Sequence, residues 1–266
     1  MNDAQVPALT EPQRNALRIA MPWLVMAVFL ILWEAACVVF QIQEIILPRP
    51  SVVFVKTIQI WHVLLDYCLQ TLWTTMAGFL LAIGAGLLLG LAIGASPFVY
   101  SGLYPLLIAF NAIPKVAIVP ILMIWLGVGP APAVITAFAI SFFPIVVNVA
   151  TGLATIEPEM RDVMRSLGAT QWEILTKVGI PRSMPYLFAS LKVAITLAFI
   201  GSVIAETVGG NRGIGFLMLS AAARNDAAAT FAGLFAIALM GVLMYAACAL
   251  IEQRMTKWAF RGEIVT

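Results

Sequence analysis

The sequence predicts an all-α polytopic membrane protein with six membrane-crossing helices. Three observations predict it. Hydrophobic residues make up 62% of the 266 positions and charged residues only 11%, whereas an average soluble chain carries ~25% charged residues. The mean hydropathy is +1.00. Six segments reach the ~20 apolar residues that a helix needs to cross a hydrocarbon core of ~30 Å: Met21–Phe40, Leu72–Ala95, Leu103–Leu126, Ala133–Leu153, Tyr186–Val208 and Thr230–Ile251. Helices are the expected form because lipid offers no partner to an exposed backbone group. The ~10-residue dyad pattern of barrel strands does not occur.

In chain order, residues 1–20 form a polar N-terminal tail with Pro7 and Pro12. No small-residue cleavage site follows the first apolar run, so Met21–Phe40 reads as a retained helix and not a signal peptide. The segment from Ile46 to Tyr67 is too polar to cross and too apolar for a free loop. Val52, Val53, Ile58, Ile60, Trp61 and Leu64 suggest a helix lying along the outer interface, with Trp61 near headgroup level. The single histidine, His62, lies there and reads as an interfacial polar residue, since a metal or catalytic site would need partners. Cys37, Cys68 and Cys248 stand alone, without disulfide or metal spacing.

The second span contains GLLLGLAIG, with Gly86, Gly90 and Gly94 four apart. Small residues at this spacing form a groove for close approach of another helix. Packing within the chain is favoured over packing on a second copy. In the third span, Pro114 and Pro120 flank Lys115. Eleven residues before Leu126 is roughly 16 Å along a continuous helix, which places Lys115 near mid-membrane. An intramembrane lysine is costly and often functional. Lys115 either faces an anion pathway, pairs with an acid such as Glu34 or snorkels to the inner interface. Asn111 and Asn148 line the path or bond between helices. Glu206, at the outer end of the fifth span, serves a gate, a contact with another protein or a structural helix end. Lys192 also falls within a span.

Orientation follows from lysine and arginine placement. With the N-terminus inside, inner segments hold Arg14, Arg18, Arg161, Arg165, Lys177, Arg182, Arg254, Lys257 and Arg261; outer segments hold Arg49, Lys56, Arg212 and Arg224. Both termini are therefore expected in the cytoplasm. The spread of these residues, at a net charge of +2, points to topology and away from nucleic acid. Residues 21–252 then make one six-helix domain, containing a cytoplasmic hairpin at 155–183, and residues 253–266 a C-terminal tail.

The hairpin, MRDVMRSLGATQWEILTKVGIPRSMP from Met160 to Pro185, is the most polar patterned segment. Pro158 suits a first helical turn, and Glu157 and Glu159 favour its positive end. Val163, Met164 and Leu167 share one side, and Gly168 stops the helix. Thr170 and Glu173 read as a capping box that starts a second short helix. That helix is expected to run through Ile174, Leu175 and Val178 and to end at Pro181, with Pro185 opening the fifth span.

From Asp162 the chain reads Asp-Val-Met, three residues, Gly168, nine residues, then Val178-Gly179-Ile180-Pro181. This resembles the cytoplasmic EAA loop of ABC importer permeases, Glu-Ala-Ala, three residues, Gly, nine residues, Ile-x-Leu-Pro. Gly168 and Pro181 match strictly, and Asp162 stands for glutamate. Ile113–Gly129, Ser141–Leu153 and Ile204–Leu217 are similar to the nitrate/sulfonate/taurine-type branch. The resemblance implies a type I importer permease in the bacterial cytoplasmic (inner) membrane, non-catalytic itself. It implies two cytoplasmic ABC ATPase subunits, a periplasmic or extracellular solute-binding protein and a second permease copy. ATP and Mg2+ belong to the ATPase, and no cofactor to this chain, which has no GxxxxGK[ST] loop. By resemblance, Arg161, Asp162, Met164, Arg165, Leu167, Gly168, Ala169, Trp172, Ile174 and Pro181 dock the ATPase. Lys115, Asn111, Asn148 and Glu206 are the substrate-pathway candidates, for a small anionic solute. An intramembrane enzyme would need HExxH, GxSxG with a usable histidine or paired acidic metal ligands at catalytic spacing, none of which is found. A secondary transporter would not need the hairpin.

Overall fold

The computed structural model describes residues 11–95, 97–154 and 158–255. Residues 1–10 of the N-terminal tail, 155–157 of the hairpin and 256–266 of the C-terminal tail lie outside them. Among the described residues the regular structure is helical throughout. Five helices are long and apolar enough to cross a membrane, and six crossings result if one bent pair counts as a span.

The chain divides into two compact units. The first contains α1 (Glu11–Val39), α2 (Pro50–Gln59) and residues 221–232. Pro50 suits the first turn of α2, as its missing N–H would be unsatisfied there anyway. The Glu34 carboxylate of α1 accepts hydrogen bonds from the Ser51 amide at 3.0 Å and the Ser51 hydroxyl at 2.7 Å. A negative charge is thus placed on the positive end of α2.

The second unit is built on three helices: α3 (Trp61–Ala95), α6 (Pro130–Ala154) and α9 (Ile180–Gly209). A Cβ added at Gly78, Gly86, Gly90 or Gly94 would come within 2.6 to 2.7 Å of Ala137, Ile145, Val149 or Leu153. Every one of these pairs is 59 residues apart, so α3 and α6 run parallel with their backbones as close as glycine allows. The glycine groove predicted from sequence packs within the chain. Gly201 of α9 meets Thr136 and Ala137, and Gly152 of α6 meets Ser183, so α9 runs antiparallel to α6. Phe79, Ala82, Ile145, Val149, Ala194 and Ala198 form the centre of this core.

Three sequence expectations are corrected. First, the second span begins earlier than Leu72. Only α2 is a separate short helix, and Trp61 to Thr71 already belongs to α3. Second, Leu103–Leu126 is not one continuous helix. α4 (Pro97–Ala112) stops at Ile113, a single 3-10 turn covers Lys115–Ile118, and α5 (Val119–Leu126) leaves at 78°. Pro114 causes the break, because it has no amide to donate and disfavours helical backbone at Ile113. Pro120 then sits in the first turn of α5. The 16 Å estimate for Lys115 fails with the straight helix that it assumed.

Third, Pro181 does not end the second hairpin helix, and Pro185 does not start the fifth span. α8 (Gln171–Ile174) passes through a π-helical turn, Leu175–Gly179, directly into α9. The Ile180 amide bonds to the Leu175 carbonyl, five residues back. This wider turn gives the backbone room to pass Pro181, which occupies the tolerant first turn of α9, and Pro185 lies inside α9.

The chain closes with α10 (Ile214–Ala223) and α11 (Ala227–Met255). Lys192 of α9 bonds Glu252 of α11 at 2.6 Å, so this intramembrane lysine is paired.

Candidate functional site

The docking candidates lie together in the hairpin, and the pathway candidates lie at three other places. At the hairpin, α7 (Pro158–Ser166) has Glu159 in its first turn and Arg165 in its last, matching its dipole. Gly168 takes φ +83°. Its amide bonds the Arg165 carbonyl at 2.9 Å, and the Ala169 amide bonds the Met164 carbonyl at 3.0 Å. This pair of bonds is a Schellman cap with glycine at C′. Two residues later the capping box forms: the Glu173 amide donates to Thr170 Oγ1 at 3.2 Å, and Glu173 Oε2 accepts from the Thr170 amide at 2.9 Å. The reversal therefore satisfies its own backbone without help from the core.

The hairpin presents apolar side chains outward. Leu167 is 78% exposed, Trp172 70% and Val163 59%. Among the described docking candidates Ile174 is buried, while Met164, Ala169 and Pro181 are half-buried. Asp162 and Arg165 are exposed and 4.0 Å apart, a separation at which an exposed pair contributes little. A Cβ at Gly168 would meet nothing within 4 Å. The described backbone of α7 includes Arg161.

Of the pathway candidates, Lys115 and Asn111 meet, while Asn148 and Glu206 have other partners. Lys115 lies at the break after α4, where its ammonium donates to the Asn111 carbonyl and, at 2.9 Å, to Asn111 Oδ1. It lies 5.9 Å from the Phe110 ring centre. A cation here neutralises the negative C-terminal end of α4. Asn148 is half-buried on α6 and donates to the Pro144 carbonyl at 2.8 Å.

Glu206 is the surprise. It is 3% exposed and anchors the cluster that joins α3, α9 and the start of α10. Its Oε2 accepts from Thr71 Oγ1 at 2.9 Å and from the Gly215 amide at 3.1 Å. Thr71 Oγ1 in turn accepts the Ile214 amide at 2.9 Å. Thr74 and Ser202 hydroxyls, 2.6 Å from one another, approach Oε1 at 3.4 and 3.5 Å. Sequence reasoning missed Thr71, Thr74 and Ser202. The available signal was three hydroxyl residues, Thr71, Thr74 and Thr75, along one stretch of an otherwise apolar helix.

An apolar cleft of about 530 Å³ opens between α3, α9 and α11, lined by Leu72, Phe79, Leu191, Met244 and Ile251 among others. No pathway candidate lines it.

Residues 82–257 match the family described as binding-protein-dependent transport system inner membrane component. The chain is 29% identical to a formylaminopyrimidine transport permease protein of Halalkalibacterium halodurans, over 89% of this chain and 95% of that one. It is 25% identical to a taurine transport system permease protein of Escherichia coli K12, over 90% and 89% of the two chains. Among solved structures, an inward-facing crystal form of the MetNI methionine ABC transporter superposes with a TM-score of 0.65. The match covers 74% of this chain and 97% of that chain at 19% identity.

Proposed function

This chain belongs to the binding-protein-dependent transport system inner membrane component family, and from that membership we propose how it is coupled and what it carries. The family establishes a membrane-embedded, non-catalytic permease subunit of an ABC importer. We propose that the hairpin at 155–183 docks a cytoplasmic ATPase, two such subunits serving two copies of this chain. A solute-binding protein delivers the solute from the opposite side. ATP and Mg2+ are held by the ATPase.

One observation carries this reading: exposed Val163, Leu167 and Trp172 on a short polar hairpin whose backbone is already satisfied. Large apolar side chains on a rigid polar support are characteristic of a surface that another protein covers. ATPase closure then moves the hairpin, and the continuous path through α8 and the π turn delivers that motion to α9. The coupling requires only that the two ATPase states bind the hairpin differently. Trp172→Asp tests the docking. Co-purified ATPase is expected to fall at least about tenfold, the loss of one hot-spot contact, while membrane insertion persists. Unchanged recovery of ATPase overturns it.

For the solute we propose a small anion of the sulfonate type. Lys115 at the α4–α5 break is the supporting cation, and the taurine permease is a relative. The formylaminopyrimidine relative supports a second reading, a neutral heteroaromatic solute. Uptake of taurine and of a formylaminopyrimidine into proteoliposomes holding the full complex separates the two. Lys115→Met is expected to abolish anion uptake with solute-free ATPase activity retained; undiminished uptake removes Lys115 from the pathway.

A further inference from the structure

The loop between α9 and α10 reads Gly209-Gly210-Asn211-Arg212-Gly213. Its tip, Asn211 and Arg212, is exposed, whereas Gly213, Ile214 and Gly215 are buried. A five-residue turn rich in glycine loses much conformational entropy when held in one shape. The structure shows what holds it. The amides of Ile214 and Gly215 are among the first of α10, donors that have no partner within their own helix. Both are met by the same cluster: Ile214 by Thr71 Oγ1, and Gly215 by Glu206 Oε2. The Gly210 amide bonds the Glu206 carbonyl at 3.0 Å. Gly213 takes φ +99°, and a Cβ on it would land on the Glu206 carboxylate. One residue thus closes both sides of the turn and fills the space beneath it.

We propose that Glu206 is a positioning residue that locks the Gly209–Gly213 turn, so that the Asn211–Arg212 tip meets the solute-binding protein in a single conformation. The proposal rests on the transport reading above. Holding a contact loop in its bound shape lowers the ordering cost of association. Through Thr71, Thr74 and Ser202 the same carboxylate ties the turn to α3 and α9, so a docking event at the tip acts on the core directly.

The chemistry separates positioning from a role for the charge itself. Both donors at Oε2 can be accepted by a glutamine carbonyl, and its amide can donate to the Thr74 or Ser202 hydroxyl. Glu206→Gln therefore keeps the lock, and Glu206→Leu opens it. The test uses the complete transporter in nanodiscs, with Cys37, Cys68 and Cys248 replaced by serine and a spin label on Asn211→Cys. Its probe is the soluble binding protein that supports uptake by the wild-type complex. Label mobility and Kd for that protein are measured.

The label is expected to be immobile in the parent and in Glu206→Gln, and mobile in Glu206→Leu, with Kd raised about tenfold in the leucine variant alone. Equal losses in the glutamine and leucine variants would assign the role to the charge and overturn the proposal. An immobile label and unchanged Kd in the leucine variant would overturn it as well. Should the leucine variant not assemble, Gly213→Ala unlocks the turn with the carboxylate in place and is expected to show the same mobile label. If no binding protein supports wild-type uptake, the transport reading fails, and label mobility still decides the lock.

Discussion

Gly168 and Gly213 both hold left-handed backbone, at φ +83° and +99°, yet their surroundings are opposite. A Cβ at Gly168 would meet open space, while one at Gly213 would strike the Glu206 carboxylate. The first turn is satisfied by its own residues and exposes Leu167 and Trp172. The second is satisfied by side chains of α3 and α9 and exposes only its polar tip. One turn is open on its outer side; the other is fastened to the core. The same local backbone requirement therefore serves two designs, and substitution at each glycine separates conformational need from spatial need.

Gly213→Ala is expected to have the largest effect. It adds the left-handed strain of ~1–2 kcal/mol to an overpacking cost of ~1–3 kcal/mol. The thermal midpoint of the purified protein should fall by several degrees. Combining it with Glu206→Ala, which clears the space, should recover the overpacking part and leave the strain, so the two changes are non-additive. Strict additivity would mean that the carboxylate does not fill that space.

Gly168 should respond differently. Gly168→Val faces the conformational penalty alone, sharpened by β-branching, and is expected to leave insertion intact while uptake and ATP hydrolysis become uncoupled. Gly168→Asn is the discriminating variant, because asparagine tolerates this region. The fold already uses it so: Asn225, at φ 58°, ends α10 with the Asn225 amide on Ala222 and the Asp226 amide on Ala221, the bonding found at Gly168. If only the cap matters, Gly168→Asn retains most of the coupling. Coupling lost in both variants would show that the partner approaches the bare glycine closely.

The contrast also explains what was legible in the sequence. The hairpin reverses through signals within a few residues of each other: Gly168 against Met164 and Arg165, and Thr170 against Glu173. Such signals are read directly from spacing. The glycine groove was legible for the same reason, being a fixed period of four. Pro114 marked where α4 breaks but carries no information on the 78° direction, which depends on packing. Pro181 misled because a proline usually ends a helix, and the π turn that admits it has no composition of its own. The Glu206 lock was out of reach: Thr71 and Thr74 lie 135 and 132 residues away, and only the antiparallel register of α3 and α9 brings them together.

The smallest effect is expected at another left-handed turn, where Asp226 follows Asn225. Its carboxylate meets Lys56 at 2.7 Å and caps α11 by accepting the Ala229 amide at 3.0 Å. Burial alone would raise the Asp226 carboxyl, but the Lys56 hydrogen bond, the Ala229 amide and the charges of Lys56 and Arg224 outweigh it and hold the group below its ordinary value. A carboxyl lowered by folding contributes stability that is present above its unfolded pKa, ~3.9, and lost as pH falls through the lower folded value. The contribution should therefore be complete at pH 7 and fade below about pH 4. Because the pair is partly solvated, it amounts to about 1 kcal/mol or less. Asp226→Asn keeps a capping oxygen and removes the charge, so it isolates the ion pair. The variant should melt slightly below the parent at pH 7, with the gap narrowing as pH falls toward 3. A difference that persists undiminished at pH 3 would assign the stability to the cap instead, making this turn, like that at Gly168, one held by hydrogen bonds of its own.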